Sequence, residues 1–158
     1  MTTSPIRPTD DTARAQVRDL MQRARFAALG VIDPGSGAPH VSRVAFALDP
    51  ENRPLTLIST LAFHTGALRE NPACSLLVGE PPDKGDALAF ARVSLDAKAN
   101  FLTETDKEYL APQYLKSHPK AALYIDFADF LFVRFEVCAA ALNAGFGKAY
   151  LLTGDDIK

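Results

Sequence analysis

Apolar positions along this chain switch between a helical and an alternating period, and each switch marks an element. Ala13, Val17, Leu20, Met21 and Ala24 recur at helical spacing with charges between them, so a helix begins at Thr9 or Asp10 and runs to about Arg25. FAALGVI (26–32) reads as a strand, DPGSG (33–37) as a tight turn and residues 39–48 as a long strand. DPENR turns the chain again into LTLIST (55–60), which completes a meander. A short helix opens near His64 and is stopped by Asn71-Pro72. CSLLVGE (74–80) is a strand, PPDKGD a polar loop, and 87–102 the longest strand-like segment. Thr103 and Asp106 have the spacing of a capping box for a helix over 104–117, which His118-Pro119 breaks before a helical turn near 120–124. FLFVRFEVC (130–138) alternates and is rich in Phe and Val, and a last strand passes through 139–146. Residues 1–8 hold two prolines and little to pack, so they read as a flexible arm before a single domain over 9–158. About six strands joined mainly by hairpins, with helices at the periphery, predict a mainly β fold. An antiparallel barrel ranks slightly ahead of an open α+β sheet.

Composition narrows the function more than the fold. The chain has 158 residues, enough for one domain with a sizeable core, and 47% hydrophobic against 23% charged residues is ordinary for a globular protein. A net charge of −2 gives no broad attraction to nucleic acid or to anionic membranes. No apolar run is long enough to span a bilayer, and MTTSPIRPTDD lacks a signal-peptide pattern, so the expected home is the cytoplasm. Cys74 and Cys138 sit in CSLLV and FEVCAA as small apolar residues, with no Cys-x-x-Cys pair for a metal or redox motif.

Candidate chemistry gathers where a strand runs into the short helix. Ser59, Thr60, His64 and Thr65 lie within seven residues, and their hydroxyls, together with free N–H groups at a helix start, can donate to a phosphate. Simple capping of the helix, with His64 exposed, is the commoner use of such residues and stays open. Arg43 and Arg92 each interrupt an apolar strand and need water, a carboxylate or an anion. By alternation Ser42 lies opposite Arg43, on the face of Val44, Phe46 and Leu48. Gly145-Phe146-Gly147 permits a tight bend and is not a dinucleotide fingerprint. Asp126 and Asp129 in YIDFADF read as turn residues at a strand entry, because no histidine or second acidic cluster accompanies them.

The order of VSRVAFALD, LISTLAFHTGALRENP, CSLLVGE, ALAFARVSLDAKANFL and YIDFADFLFVRFEV resembles the FMN-binding split barrels related to pyridoxamine 5′-phosphate oxidase, in the branch that includes the haem-utilisation proteins. The likeness covers about residues 20–148. It implies a six-stranded antiparallel split β-barrel, a homodimer with the flavin at its interface, and an oxidoreductase acting on a small molecule. It also implies that Ser42, Arg43 and Val44, Ser59, Thr60 and Leu61, and His64 and Thr65 hold the flavin phosphate and ribityl chain, with Arg92 reaching the isoalloxazine. Authentic pyridoxamine phosphate oxidases carry an Arg-Lys pair where this chain has Phe63-His64, and a substrate-binding tail where it has Gly154–Lys158. The resemblance therefore points away from vitamin B6 as substrate. Haem binding or degradation, with His40, His64 or His118 as iron ligand, and a non-catalytic flavin carrier or sensor are the alternatives.

Overall fold

Alternation decides most of the sheet. In the computed structural model, which describes residues 5–158, FAALGVI forms β2 (Phe26–Ile32) after a short β1 (Ile6–Arg7) and α1 (Asp11–Arg23). Ala27, Leu29 and Val31 of β2 are buried, while Phe26 and Ile32 stay exposed on the outer face. β3 (Pro39–Ala45), β4 (Ala47–Leu48), β5 (Pro54–Ser59), α2 (Phe63–Glu70) and β6 (Ala73–Val78) follow. The chain is completed by β7 (Arg92–Phe101), α3 (Glu104–Ser117), β8 (Phe130–Asn143) and β9 (Ala149–Thr153).

The expected split barrel is present, among the described residues as an open and mixed sheet of nine strands rather than six antiparallel ones. Antiparallel pairing runs β3–β2–β6–β7–β8, and β8 then pairs β5 through Phe130–Arg134 and β9 through Ala139–Asn143. β8 is thus shared along one edge by two partners. The ladder stays open along most of the seam between β3 and β5, where only two-residue β4 crosses to pair β5. Thr56 spans the seam with its hydroxyl, donating to Ala45 O at 2.6 Å.

Four segments depart from the sequence expectation. The strand over 39–48 breaks at Phe46, which turns into the core as its N–H donates to Arg25 O. Residues 87–89 form a 3₁₀ turn because the Asp86 carboxylate accepts from Leu88 N. The two strands expected over 130–146 are one strand, kept continuous by a bulge that leaves Cys138 without a partner opposite Asp96 and Ala97. The Gly145–Gly147 bend then reverses the chain into β9, with φ of 117° and 70° that suit glycine. Residues 1–4 of the expected arm lie outside the described residues, and Ile6–Arg7 pairs in parallel with Ala149–Tyr150.

Two apolar clusters hold the fold. The larger fills the barrel and includes Val17, Leu29, Phe46, Leu68, Leu76, Leu95 and Phe135, drawn from strands, α1 and α2. The smaller joins Leu57 and Phe132 on the sheet to Leu110 and Tyr114 of α3. Pro112 lies within α3, whose start is fixed by the expected Thr103–Asp106 capping box. No helix among the described residues is long and apolar enough to cross a membrane.

Candidate functional site at the open seam

β5 and α2 meet at a tightly bonded corner, built from residues that favour local side-chain bonds. Thr65, 1% exposed, donates its hydroxyl to Ser59 O at 2.6 Å and so pins α2 to the end of β5. Ser59 Oγ donates to Asp129 Oδ2 at 2.7 Å and accepts from Leu61 N at 3.1 Å. Thr60 N donates to Asp129 O at 2.7 Å. Ser59 and Thr65 thus spend their hydroxyl hydrogens inside the protein, which removes them as ready phosphate donors. Thr60 is exposed, and Leu61 is 87% exposed.

His64 faces across the seam. Its Nδ1 lies 3.0 Å from Ser42 Oγ, so β3 and α2 are joined exactly where no backbone ladder joins them. Ser42 reaches His64 from the barrel-facing side of β3, which it shares with buried Val44. Burial, with a smaller contribution from nearby His40, pushes the His64 pKa below 6.5, so the ring is neutral at pH 7. The sequence reading allowed His64 a positive charge; without a bound anion the fold favours the neutral ring. Its Nε2 is buried and has no hydrogen-bond partner. If the Ser42 hydroxyl donates to Nδ1, Nε2 carries the proton and is a donor without an acceptor.

The start of α2 suits an anion. No side chain caps it, and no acidic residue lies in its first turn. An oxyanion reaching the uncapped N–H groups and His64 Nε2 would satisfy groups the protein leaves unpaired. The fit is therefore through backbone and imidazole, and Asp129 beside Ser59 opposes it. Asp126 is exposed, and among the described residues no three His, Cys, Asp or Glu side chains are arranged to hold a metal.

The two arginines lie elsewhere. Arg43 is on the outer face of β3, its guanidinium 5.3 Å from the centre of the Phe26 ring. Arg92 donates Nη1 to Leu88 O at 2.8 Å and Phe90 O at 3.3 Å, clasping the loop before β7. The register Arg43–Ala28–Leu77–Ser94 places Arg92 on β7, three strands from Arg43. At about 4.8 Å per strand the two backbones lie roughly 14 Å apart. Sequence reasoning missed Asp129 as the partner of Ser59, 70 positions away, and Lys107, which ties the Asp129 segment down. An aspartate directly before an apolar strand was visible; its pairing was not.

Comparison with known proteins agrees with this architecture. The family model described as Pyridoxamine 5'-phosphate oxidase matches residues 13–142. The chloroplastic non-canonical heme oxygenase HOZ of Arabidopsis thaliana is 37% identical over 119 residues, which are 75% of this chain and 36% of HOZ. The chain thus spans about a third of the length of that relative. Heme oxygenase HutZ of Vibrio cholerae is 28% identical over 147 residues, 90% of this chain and 82% of HutZ. A heme binding protein from Mycobacterium smegmatis shares the fold at a TM-score of 0.84 and 24% identity, over 94% of this chain and 61% of that one. With the family model matching most of its length, the chain belongs to the pyridoxamine 5′-phosphate oxidase family.

Proposed function

We propose that this protein is an FMN-binding oxidoreductase acting on a small-molecule substrate in the cytoplasm. The observation that carries the reading is His64 Nε2, buried and unpartnered beside an uncapped, acid-free helix start. His64 and the first N–H groups of α2 hold the phosphate. Ser42 orients the imidazole, and Thr65 fixes α2 against β5. When bound, FMN supplies two-electron redox chemistry at its ring. His64→Ala should weaken FMN binding about tenfold or more, because a hydrogen bond to a charged group is worth roughly 1.5–3 kcal/mol, and should leave riboflavin binding nearly unchanged. Calorimetric titration with both ligands checks this; equal losses would remove the phosphate assignment. Bleaching of bound flavin by NAD(P)H would separate an oxidoreductase from a carrier or sensor.

Two heme oxygenases among the relatives favour a second reading, in which the ligand is haem. His40 is the candidate ligand: it is exposed and makes a ring contact with Phe63 at 4.5 Å, whereas Phe46 O lies 2.8 Å from His118 Nε2 and His64 Nε2 is buried. A Soret band that appears on adding hemin and is lost in His40→Ala, with no flavin bound, would establish this reading in place of the first.

The proposed working form is a homodimer. Phe26, Ile32, Val41 and Leu77 are large apolar residues left exposed on the adjoining strands β3, β2 and β6, and Arg43 lies among them. A stable interface buries on the order of 1,200–2,000 Å². Leu77→Glu, which puts a charge on that face at a residue 48% exposed, should convert a dimer to a monomer in sedimentation at micromolar concentration. A monomeric parent protein would end the proposal.

A further inference from the structure

Ser59 ends β5 just before α2 begins, where an anion at the helix start would meet a hydroxyl. That hydroxyl is already given to Asp129. The carboxylate is not a chance contact of a loose loop. Lys107, 7% exposed, donates Nζ to Phe130 O at 2.8 Å and to Phe127 O at 3.3 Å. Phe130 N donates to Phe127 O, and Thr60 N to Asp129 O. Both flanks of Asp129 are thus held, and the residue is half-buried. Among the described residues no Lys, Arg or His nitrogen forms an ion pair with it.

We propose that Asp129 is a specificity-determining residue of the ligand site: its carboxylate, held on Ser59, limits how much negative charge the site accepts. The inference rests on the flavin reading and goes further, assigning a discriminating role to a residue outside the phosphate-holding set. Two physical effects act together. A hydroxyl has one hydrogen, so Ser59 cannot donate to a phosphate oxygen while it donates to Asp129. A dianion placed at the helix start also meets a fixed like charge in a half-buried setting, where solvent screens it incompletely. A ligand with the same ring and no phosphate meets neither cost. If Asp129 only pinned the Ser59–Leu61 turn, removing its charge would affect charged and neutral ligands alike.

Asp129→Asn separates the two roles, because Asn keeps an oxygen to accept from Ser59 and loses the charge. The full chain and the variant are titrated with FMN and with riboflavin. The expected result is FMN affinity raised about tenfold in the variant, with riboflavin affinity within about twofold of the parent, as relief of a like-charge contact predicts. Asp129→Ser carries the same expectation, so a packing fault in one variant does not decide the outcome. FMN binding seen only in the variants would support the discriminating role of Asp129 and overturn the FMN reading of the parent chain. Equal shifts for the two ligands, or none, overturn the discriminating role and leave the FMN reading intact wherever the parent binds FMN. Failure of parent and variants alike to bind FMN overturns both.

Discussion

Asp49→Ala should lower the stability of the chain by about 3–5 kcal/mol, the usual effect of removing one partner from a buried ion pair. Asp49 follows β4 at the turn into β5, and its side chain is fully enclosed, at 0% exposure. One carboxylate oxygen accepts from Glu51 N and Arg53 N at 2.9 Å each. The other accepts Nε of Arg53 and Nε of Arg134 at 2.8 Å each. Alanine would strip two backbone donors and two guanidinium groups at once, and Arg134 is itself mostly buried. A fall in the thermal midpoint of roughly 10 °C is expected for a chain of this size. Burial alone would raise the Asp49 pKa, but the hydrogen bonds from Arg53, Glu51 and Arg134 outweigh it and hold the pKa below 3.8. The sign follows. Its contribution is complete above the ordinary carboxylate pKa and is lost as pH falls through the lower value it has in the fold. Asp49→Ala should therefore lose more stability at pH 7 than at pH 3, measured by urea unfolding. An equal loss at both pH values would show that packing, not charge, carries the effect.

The same turn shows what the sequence could and could not disclose. DPENR is legible as a turn from its proline and polar residues, and Asn52 takes the left-handed conformation, at φ 61°, that such turns use. That Asp49 would bind Arg134, 85 positions away, is a tertiary fact with no local signature. The rule applies elsewhere. The start of α1 at Asp10, the capping box at Thr103 and the β2–β3 hairpin follow from short-range chemistry and were readable. β9 was not, because the tight turn at Gly145–Gly147 was readable and the strand after it, AYLLT, was too short to register. At the site, alternation put Ser42 on the inner side of β3, and the helix start near His64 was visible. The direction in which Ser59 and Thr65 spend their hydroxyls depends on Asp129 and on the seam, so their donor role could not be judged from spacing. The resemblance points Arg92 at the flavin ring; in the fold its guanidinium donates to Leu88 O and Phe90 O, around a 3₁₀ turn that apolar periodicity hid.

Phe46→Ala should cost about 3–5 kcal/mol and, unlike a change at His64, weaken FMN and riboflavin alike. Phe46 is 1% exposed and is the residue at which the strand leaves β2 and crosses to β5. Its N–H donates to Arg25 O at 2.9 Å, and its carbonyl lies 2.8 Å from His118 Nε2. These backbone contacts fix the crossing point, while the ring fills the barrel beneath it. Truncation leaves a cavity that the neighbouring strands close only in part. The seam has little backbone ladder to resist the strain, since only β4 bridges it. Ser42 lies four residues upstream, on β3, so the loosened crossing would carry its hydroxyl away from His64. Phe46→Leu, which keeps most of the volume, should cost less than about 1.5 kcal/mol and retain affinity. Urea unfolding gives the first comparison and titration with both ligands the second. A destabilised Phe46→Ala that still bound both ligands at parental affinity would show that the seam is not what positions His64.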